Sequence, residues 1–233
     1  MEKSNVDMAG AHGSVVSDNS QEEYELLESL LWTADDGYFV LPYHRERVQR
    51  SAIELGFKLK LAEFDRQLKK LSDACGPGSQ KVRVCISRDG SIRTERMPIA
   101  SYDGETSLKV GLSRSPVTAL DPFLYHKTTR RAVYVRAAAT RPDCDDVILY
   151  NERGEITESC IANVVIEQDD KRLTPATKCG LLAGTFRAHL IDEGVIEESV
   201  ISIEQLAQCD KLYLVNSVRK WIRTEWVPIS STE

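Results

Sequence analysis

Apolar and polar positions along the first half of the chain predict a small unit of mixed strands and helices. ELLESLLW, a TADDG turn and YFVLPYH, over residues 24–44, predict a β-hairpin. Helices are predicted over residues 44–57, with Val48, Ala52 and Leu55 on one face, and over residues 61–75, which end at a GPG segment. Further strands are predicted at KVRVCIS, at residues 92–98 and at SLKVGLS. The pattern therefore predicts a small α/β domain over residues 22–115.

The second half repeats the mixture in a larger unit, residues 123–233, after a connector at residues 116–122. A helix follows the YHKTTRR segment, and residues 145–166 predict a hairpin of one apolar strand, a turn containing Gly154 and one second strand. Strands are also predicted at residues 172–174 and 200–203 and at KLYLVNS, with helices at residues 185–193 and 203–209. The mixture of strands and helices in two units predicts an α+β fold. Because neither unit contains a GxGxxG turn or a Walker loop, the pattern argues against a nucleotide-binding fold.

Composition narrows the classes of partner. The chain has 233 residues and a formal charge of −6, which gives it no general attraction for nucleic acid or anionic membranes. No apolar run is long enough to span a bilayer, and the Ser- and Asn-rich residues 1–21 predict a disordered extension. Six scattered cysteines without CxxC spacing indicate a reducing compartment and no zinc site. We therefore expect a cytoplasmic protein that binds a small molecule, without nucleic acid, membrane or metal.

Two residues suggest a particular chemistry. Lys127 lies just ahead of a predicted helix, and Glu158 lies within a predicted strand of β-branched and small residues. Pyridoxal phosphate enzymes need a lysine that binds the cofactor covalently and moves protons, and an acid that keeps the pyridine nitrogen protonated. Each residue alone also fits an ordinary position, a helix-end lysine or an edge-strand carboxylate facing water.

Three motifs favour the functional interpretation of Lys127 and Glu158. HKTTRR, ITESCIAN and LTPATKCGLLAGTFRAHL together resemble the class IV aminotransferase family, which is fold type IV of the pyridoxal phosphate enzymes. Within that family they are most similar to aminodeoxychorismate lyases, including the lyase portion that some bacteria fuse behind a p-aminobenzoate synthase subunit. The likeness runs from about residue 24 to residue 229. It implies a two-domain D-amino-acid-aminotransferase-like fold, pyridoxal 5'-phosphate in the cleft between the domains, and a homodimer.

The resemblance also implies a set of site residues. Lys127 would carry the cofactor, and Glu158 would pair with its pyridine nitrogen. The cofactor phosphate would be bound by a helix N-terminus, a guanidinium and a second turn, namely Gly184, Thr185, Phe186, Arg47, Asn216 and Ser217. Arginines on helices are commonly solvated and Gly-Thr is a common helix start, so these roles depend on the family motifs. Asn163 is expected to support the hairpin, and His44 to cap or orient its helix.

The sequence departs from the family pattern in three places. A segment that usually precedes the FET-like motif is missing, Leu27-Glu28-Ser29 stands where FET is common, and Val135 stands where the fused lyases often carry an acidic residue. The expected reaction is conversion of 4-amino-4-deoxychorismate to p-aminobenzoate and pyruvate, a step toward folate. A branched-chain or D-amino-acid transaminase on the same fold is an alternative that the cofactor residues do not exclude. A catalytically silent scaffold or interaction subunit is a further alternative.

Overall fold

The computed structural model describes residues 23–99 and 106–228, so the predicted extension at residues 1–21 lies outside the described residues. The strands form two sheets. We call residues 23–99 the small lobe and residues 106–228 the large lobe. The predicted domain boundaries remain a prediction, although one strand of the predicted small domain pairs within the sheet of the large lobe, as shown below.

The small lobe is a four-stranded sheet with two helices packed on one face. In chain order its elements are β1 (Leu26–Thr33), β2 (Gly37–Tyr38), α1 (Leu41–Leu55), α2 (Leu61–Asp73), β3 (Ser79–Ile86) and β4 (Ile92–Ile99), and the strand order is β2-β1-β3-β4. The predicted hairpin is present, but its second strand is shorter than predicted, and α1 begins three residues before the predicted helix start. Pro42 explains the difference, because the first turn of a helix tolerates a residue without an N–H.

The large lobe is built on an eight-stranded sheet. Its strands are β5 (Leu108–Leu112), β6 (Asp146–Tyr150), β7 (Ile156–Ser159), β8 (Asn163–Gln168), β9 (Lys171–Pro175), β10 (Glu197–Ser199), β11 (Lys211–Asn216) and β12 (Lys220–Val227). The order is β10-β9-β8-β11-β12-β5-β6-β7, and β7 also pairs with β8, so six strands close into a ring. The helices are α3 (Ala132–Ala139), α4 (Thr185–Asp192) and α5 (Ile203–Gln208). A core of aliphatic side chains, including Ile148, Val164 and Leu214, lies against the sheet.

The large lobe differs from the predictions in several details, one of which is that no strand is predicted over β12. The predicted second strand of the hairpin is divided into β7 and β8, because the Ser159 hydroxyl accepts from the Ala162 amide at 3.0 Å and closes a turn. The strand predicted at residues 200–203 lies earlier, at Glu197–Ser199. Strand β5, predicted within the small domain, pairs in parallel with β6 and β12. The break in the hairpin matters for the site, because it makes Glu158 and Asn163 the cross-strand pair at which the ring closes.

The two lobes are joined by backbone hydrogen bonds beside Lys127. The Leu27 amide donates to the Lys127 carbonyl at 2.9 Å, and the Thr129 amide donates to the Glu25 carbonyl at 2.9 Å. On the other side of the junction, the Ser217 hydroxyl donates to the Ser29 carbonyl at 3.0 Å. The segment that carries Lys127 therefore pairs with the start of β1 in the antiparallel direction.

Three general features of the described part of the chain bear on its class. No helix within residues 23–99 and 106–228 is long and apolar enough to cross a membrane. In the same ranges, no group of three or more His, Cys, Asp or Glu side chains is arranged to hold a metal ion. All six cysteines are free thiols.

Candidate active site

The backbone of Lys127 is held by the hydrogen bond from the Leu27 amide, and its side chain is partly buried between the lobes. Burial, together with the positive charges of Arg47 and Arg131, lowers the pKa of its amine to about 8. The carboxylates Glu28 and Glu158 act in the opposite direction. An amine with this pKa is partly neutral near physiological pH, which a lysine needs in order to react with a carbonyl carbon.

Glu158 lies at the end of β7 and is 5% exposed. Burial raises the pKa of its carboxyl to about 7, although two neutral donors and the positive charge of Lys127 favour the ionised form. The donors are the Tyr134 hydroxyl, at 2.8 Å, and the Leu182 amide, at 3.2 Å. Because Lys127 and Glu158 influence each other's pKa, the structure brings the two predicted groups into one site.

The N-terminus of α4 provides one predicted phosphate contact. Gly184 is the N-cap, and no side chain caps the amides of the first turn, to which Thr185 and Phe186 belong. These amides have no partner within the helix and favour an anion. A Cβ at Gly184 would lie 1.9 Å from Asn163 Oδ1, so only glycine fits here. Asn163 also donates to the Leu182 carbonyl at 2.8 Å, and it thereby fixes the loop ahead of α4.

Arg47 lies on α1 and is buried against this loop. Its guanidinium makes a bidentate pair with Glu28, with Nε 2.9 Å from Oε1 and Nη2 2.6 Å from Oε2. Its Nη1 donates to the Ala183 carbonyl at 3.4 Å, directly before Gly184. Burial alone would raise the pKa of Glu28, but Arg47 and His44 lower it to about 2, so Glu28 is an anion at all ordinary pH values.

His44 connects this ion pair to the start of α4. Its Nδ1 lies 2.6 Å from Glu28 Oε2, and its Nε2 lies 3.2 Å from the Thr185 hydroxyl. Burial lowers the pKa of His44, and the carboxylate acceptor assigns the ring proton to Nδ1, which leaves Nε2 to accept from Thr185. Glu28, Arg47, His44 and Thr185 thus form one buried polar chain, which we call the phosphate-end chain.

The remaining predicted residues lie around the same junction. The Asn216 side chain accepts from the amides of Val218 and Arg219 and so shapes the turn after β11. Ser217 is buried and its hydroxyl donates to the small lobe. The Phe186 ring packs 5.4 Å from the ring of Phe39 and so belongs to the contact between the lobes. The phosphate roles of these residues remain predictions.

Tyr134, Glu28 and the full role of His44 are not predicted from the sequence. Sequence signals exist for Glu28 and for Tyr134. Glu28 shares the buried face of β1 with Leu26 and Leu30, and a buried carboxylate requires a partner. Tyr134 lies on the buried face of α3, where its hydroxyl also requires one.

The donor set fits pyridoxal phosphate. A partly neutral lysine amine would serve the aldehyde of the cofactor, and a buried carboxylate would serve its ring nitrogen. A helix start without a side-chain cap, next to a buried arginine, suits the phosphate.

Comparison with known proteins identifies the family to which the chain belongs. The family model described as amino-transferase class IV matches residues 25–230. A Schizosaccharomyces pombe protein named "Putative aminodeoxychorismate lyase" is 31% identical over 85% of this chain and 88% of its own length. A Thermotoga maritima protein named "Probable branched-chain-amino-acid aminotransferase" is 30% identical over 75% of this chain and 67% of its own. The crystal structure of a "Putative amino-acid aminotransferase" from Mesorhizobium loti superimposes with a TM-score of 0.82 and 31% identity, covering 88% of this chain and all of that one.

These findings confirm the predicted α+β fold of the fold type IV enzymes and the predicted cofactor, because this family depends on pyridoxal phosphate. They favour an enzyme over a silent scaffold and leave the lyase and the transaminase to be distinguished. The chain belongs to the class IV aminotransferase family and is a pyridoxal phosphate-dependent enzyme.

Proposed function

We propose that this enzyme is a lyase that converts 4-amino-4-deoxychorismate to p-aminobenzoate and pyruvate. The observation that carries the proposal is a group of three cations beside the junction of the lobes, Lys81, Arg83 and Arg219. The chemistry is supplied by Lys127, with a pKa of about 8, and Glu158, with a pKa of about 7, in one site. A base that is partly neutral and an acid that is partly protonated at the same pH suit a reaction that begins with removal of a proton from carbon.

Each protein group has one task in this reaction. When bound, pyridoxal phosphate supplies a protonated ring that accepts the electron pair of the carbon bearing the substrate amine. The neutral Lys127 amine removes the proton from the substrate carbon that bears the amine. The bond between the neighbouring substrate carbon and the enolpyruvyl oxygen then breaks, and the substrate ring becomes aromatic. Protonation of the released enolpyruvate gives pyruvate. Glu158 holds the proton at the pyridine nitrogen throughout.

A group of cations favours the binding of an anionic substrate. Lys81 and Arg83 project from the same face of β3, and the charges of Arg83 and Arg219 both affect Lys81. Arg83 lies opposite Ser29, the residue that Ser217 contacts. Within residues 23–99 and 106–228 none of these three cations has an acidic partner. 4-Amino-4-deoxychorismate carries two carboxylates, whereas a branched-chain amino acid carries one and an apolar side chain, so the group favours the lyase substrate.

The second candidate is a transaminase, which the Thermotoga maritima relative favours. A transaminase would use Lys127 to return the proton to the cofactor carbon, and it would require a 2-oxo acid as second substrate. The positions of Lys127 and Glu158 serve both reactions equally, so the lining of the substrate pocket decides between them.

The deciding experiment incubates the enzyme and its cofactor with 4-amino-4-deoxychorismate and measures p-aminobenzoate by fluorescence and pyruvate enzymatically. We expect equal amounts of both without an added 2-oxo acid, and none with Lys127→Ala. Borohydride should attach the cofactor to Lys127 in the parent protein, as checked by peptide mass mapping. Amino transfer in a parallel panel of branched-chain and D-amino acids, with no p-aminobenzoate formed, would identify the transaminase instead.

We also propose that the enzyme acts in folate biosynthesis, in the cytoplasm and as a homodimer. The pathway follows from the product, and the assembly follows the family pattern. Leu120 and Val135 are 85% and 66% exposed, and they provide large apolar side chains that a second subunit could cover. Light scattering of the active enzyme tests the dimer, and an active monomer would refute it.

A further inference from the structure

The two oxygens of Glu158 have different surroundings. Oε1 accepts from both the Tyr134 hydroxyl and the Leu182 amide. Oε2 has no hydrogen-bond partner among the described residues, and it is not completely enclosed by protein atoms. Oε2 is therefore the oxygen that borders open space and the one available to a ligand.

The hydroxyl of Tyr134 is a permanent donor. Burial, together with the neighbouring Glu158 charge, raises the pKa of the phenol well above its usual range, so it stays protonated at every pH the enzyme meets. Its hydrogen bond favours the ionised form of Glu158, in opposition to burial. Without it, the carboxyl would hold its own proton more strongly.

The Tyr134 ring is fixed independently of its hydroxyl. The Arg131 guanidinium lies over the ring, 4.4 Å from its centroid, and also donates to the Cys160 carbonyl. The Cys160 thiol donates to the Tyr134 carbonyl at 3.4 Å. Arg131 in turn lowers the pKa of both Lys127 and Glu158. Removing only the hydroxyl should therefore leave the ring and Arg131 in place.

We propose that Tyr134 is a positioning residue that acts through Glu158. By occupying Oε1 it reserves Oε2 for the pyridine nitrogen, and by stabilising the carboxylate it keeps the shared proton on that nitrogen. This inference rests on the proposed role of Glu158 toward the cofactor, and it is independent of which substrate the enzyme uses.

The test replaces Tyr134 by phenylalanine in the full-length protein. With 13C-labelled glutamate, the Glu158 carboxyl signal, assigned by its loss in Glu158→Gln, should titrate about one to two pH units higher in Tyr134→Phe than in the parent. In the holoenzyme with 15N at the cofactor ring nitrogen, the ratio of nitrogen-protonated to carboxyl-protonated forms should fall about 10- to 100-fold. The nitrogen signal should therefore move toward that of the neutral ring.

Tyr125→Phe is the matched control, because its hydroxyl donates at 2.8 Å to the Ala119 carbonyl rather than to the site. It should leave both signals unchanged. If Tyr134→Phe does not fold, as checked by thermal melting, 3-fluorotyrosine at residue 134 provides a stronger donor of nearly the same shape and should lower the Glu158 pKa. An unchanged Glu158 pKa in the folded variant would overturn the proposal. Because neither signal requires substrate, failure of the lyase assay would leave this result intact.

Discussion

The two buried glutamates of the site, Glu28 at the proposed phosphate end and Glu158 at the proposed ring end, are in opposite electrostatic states. They are 1% and 5% exposed, and burial raises the pKa of both, yet the values are about 2 and about 7. Glu28 has a bidentate arginine and a histidine, whereas the direct contacts of Glu158 are a phenol and an amide. Charged partners rather than depth of burial therefore decide whether a carboxylate serves as a fixed anion or shares a proton.

The largest effect is expected when Glu158 is made unable to ionise. Glu158→Gln should keep the cofactor bound through the phosphate contacts but slow turnover on the order of 10²–10⁴-fold, because an amide does not hold the pyridinium proton. Turnover and cofactor absorbance measured on the same sample check both parts. Near-normal turnover would show that another group protonates the ring, and the contrast with Glu28 would then lose its functional meaning.

The same substitution at Glu28 should affect folding rather than proton transfer. Its pKa is lowered from 4.5 to about 2, a shift that corresponds to about 3 kcal/mol of stability. That stability is fully present above pH 4.5 and is lost as the pH falls through 2. Glu28→Gln should therefore lower the free energy of unfolding at pH 7 by about 3–5 kcal/mol, since Arg47 would remain buried without its anion.

Denaturant titration of the cofactor-free proteins between pH 2 and pH 8 checks this difference. The curves of the parent and Glu28→Gln should converge toward pH 2. For Glu158 the folded pKa is raised from 4.5 to about 7, so its contribution is present below 4.5 and is lost as the pH rises through 7. In Glu158→Gln the free energy of unfolding should therefore fall less than in the parent as the pH rises through 7. Parallel curves for all three proteins would mean that the two carboxylates do not differ as described.

The smallest effects are expected on cofactor affinity when Arg47 or Thr185 is replaced. Arg47→Ala should weaken cofactor binding by about 1.5–3 kcal/mol and also lower the melting temperature, because the buried Glu28 would keep only His44 as a partner. Thr185→Val keeps the side-chain shape and removes one neutral hydrogen bond, so affinity should fall by only about 0.5–1.5 kcal/mol with little change in melting. Titration with pyridoxal phosphate and melting without it measure the two quantities. Equal affinity in all three proteins would place the phosphate elsewhere.

Local pattern predicts the elements that carry the site better than it predicts their pairing. Lys127 and Glu158 follow from short motifs, whereas the partners Tyr134 and Arg47 are separated from their carboxylates by 24 and 19 residues. The break after Ser159 is missed because a side-chain hydrogen bond, rather than a glycine or proline, makes the turn. No strand is predicted over Lys220–Val227, where charged residues interrupt the apolar pattern. The place of β5 in the larger sheet is missed because it depends on parallel pairing with β6 and β12, two strands that are distant in sequence.

The pairing of β1 with the Lys127 segment has a consequence for folding. The Glu25 amide and the Thr129 hydroxyl, 2.9 Å apart, are 104 residues apart in sequence. Closing so long a loop costs conformational entropy before the contact stabilises it, and contacts of this kind form slowly. During synthesis the lysine segment would emerge long after the strand that positions it. The reactive amine should thus be set in place late in folding, and acquisition of the cofactor would report that the two lobes have joined.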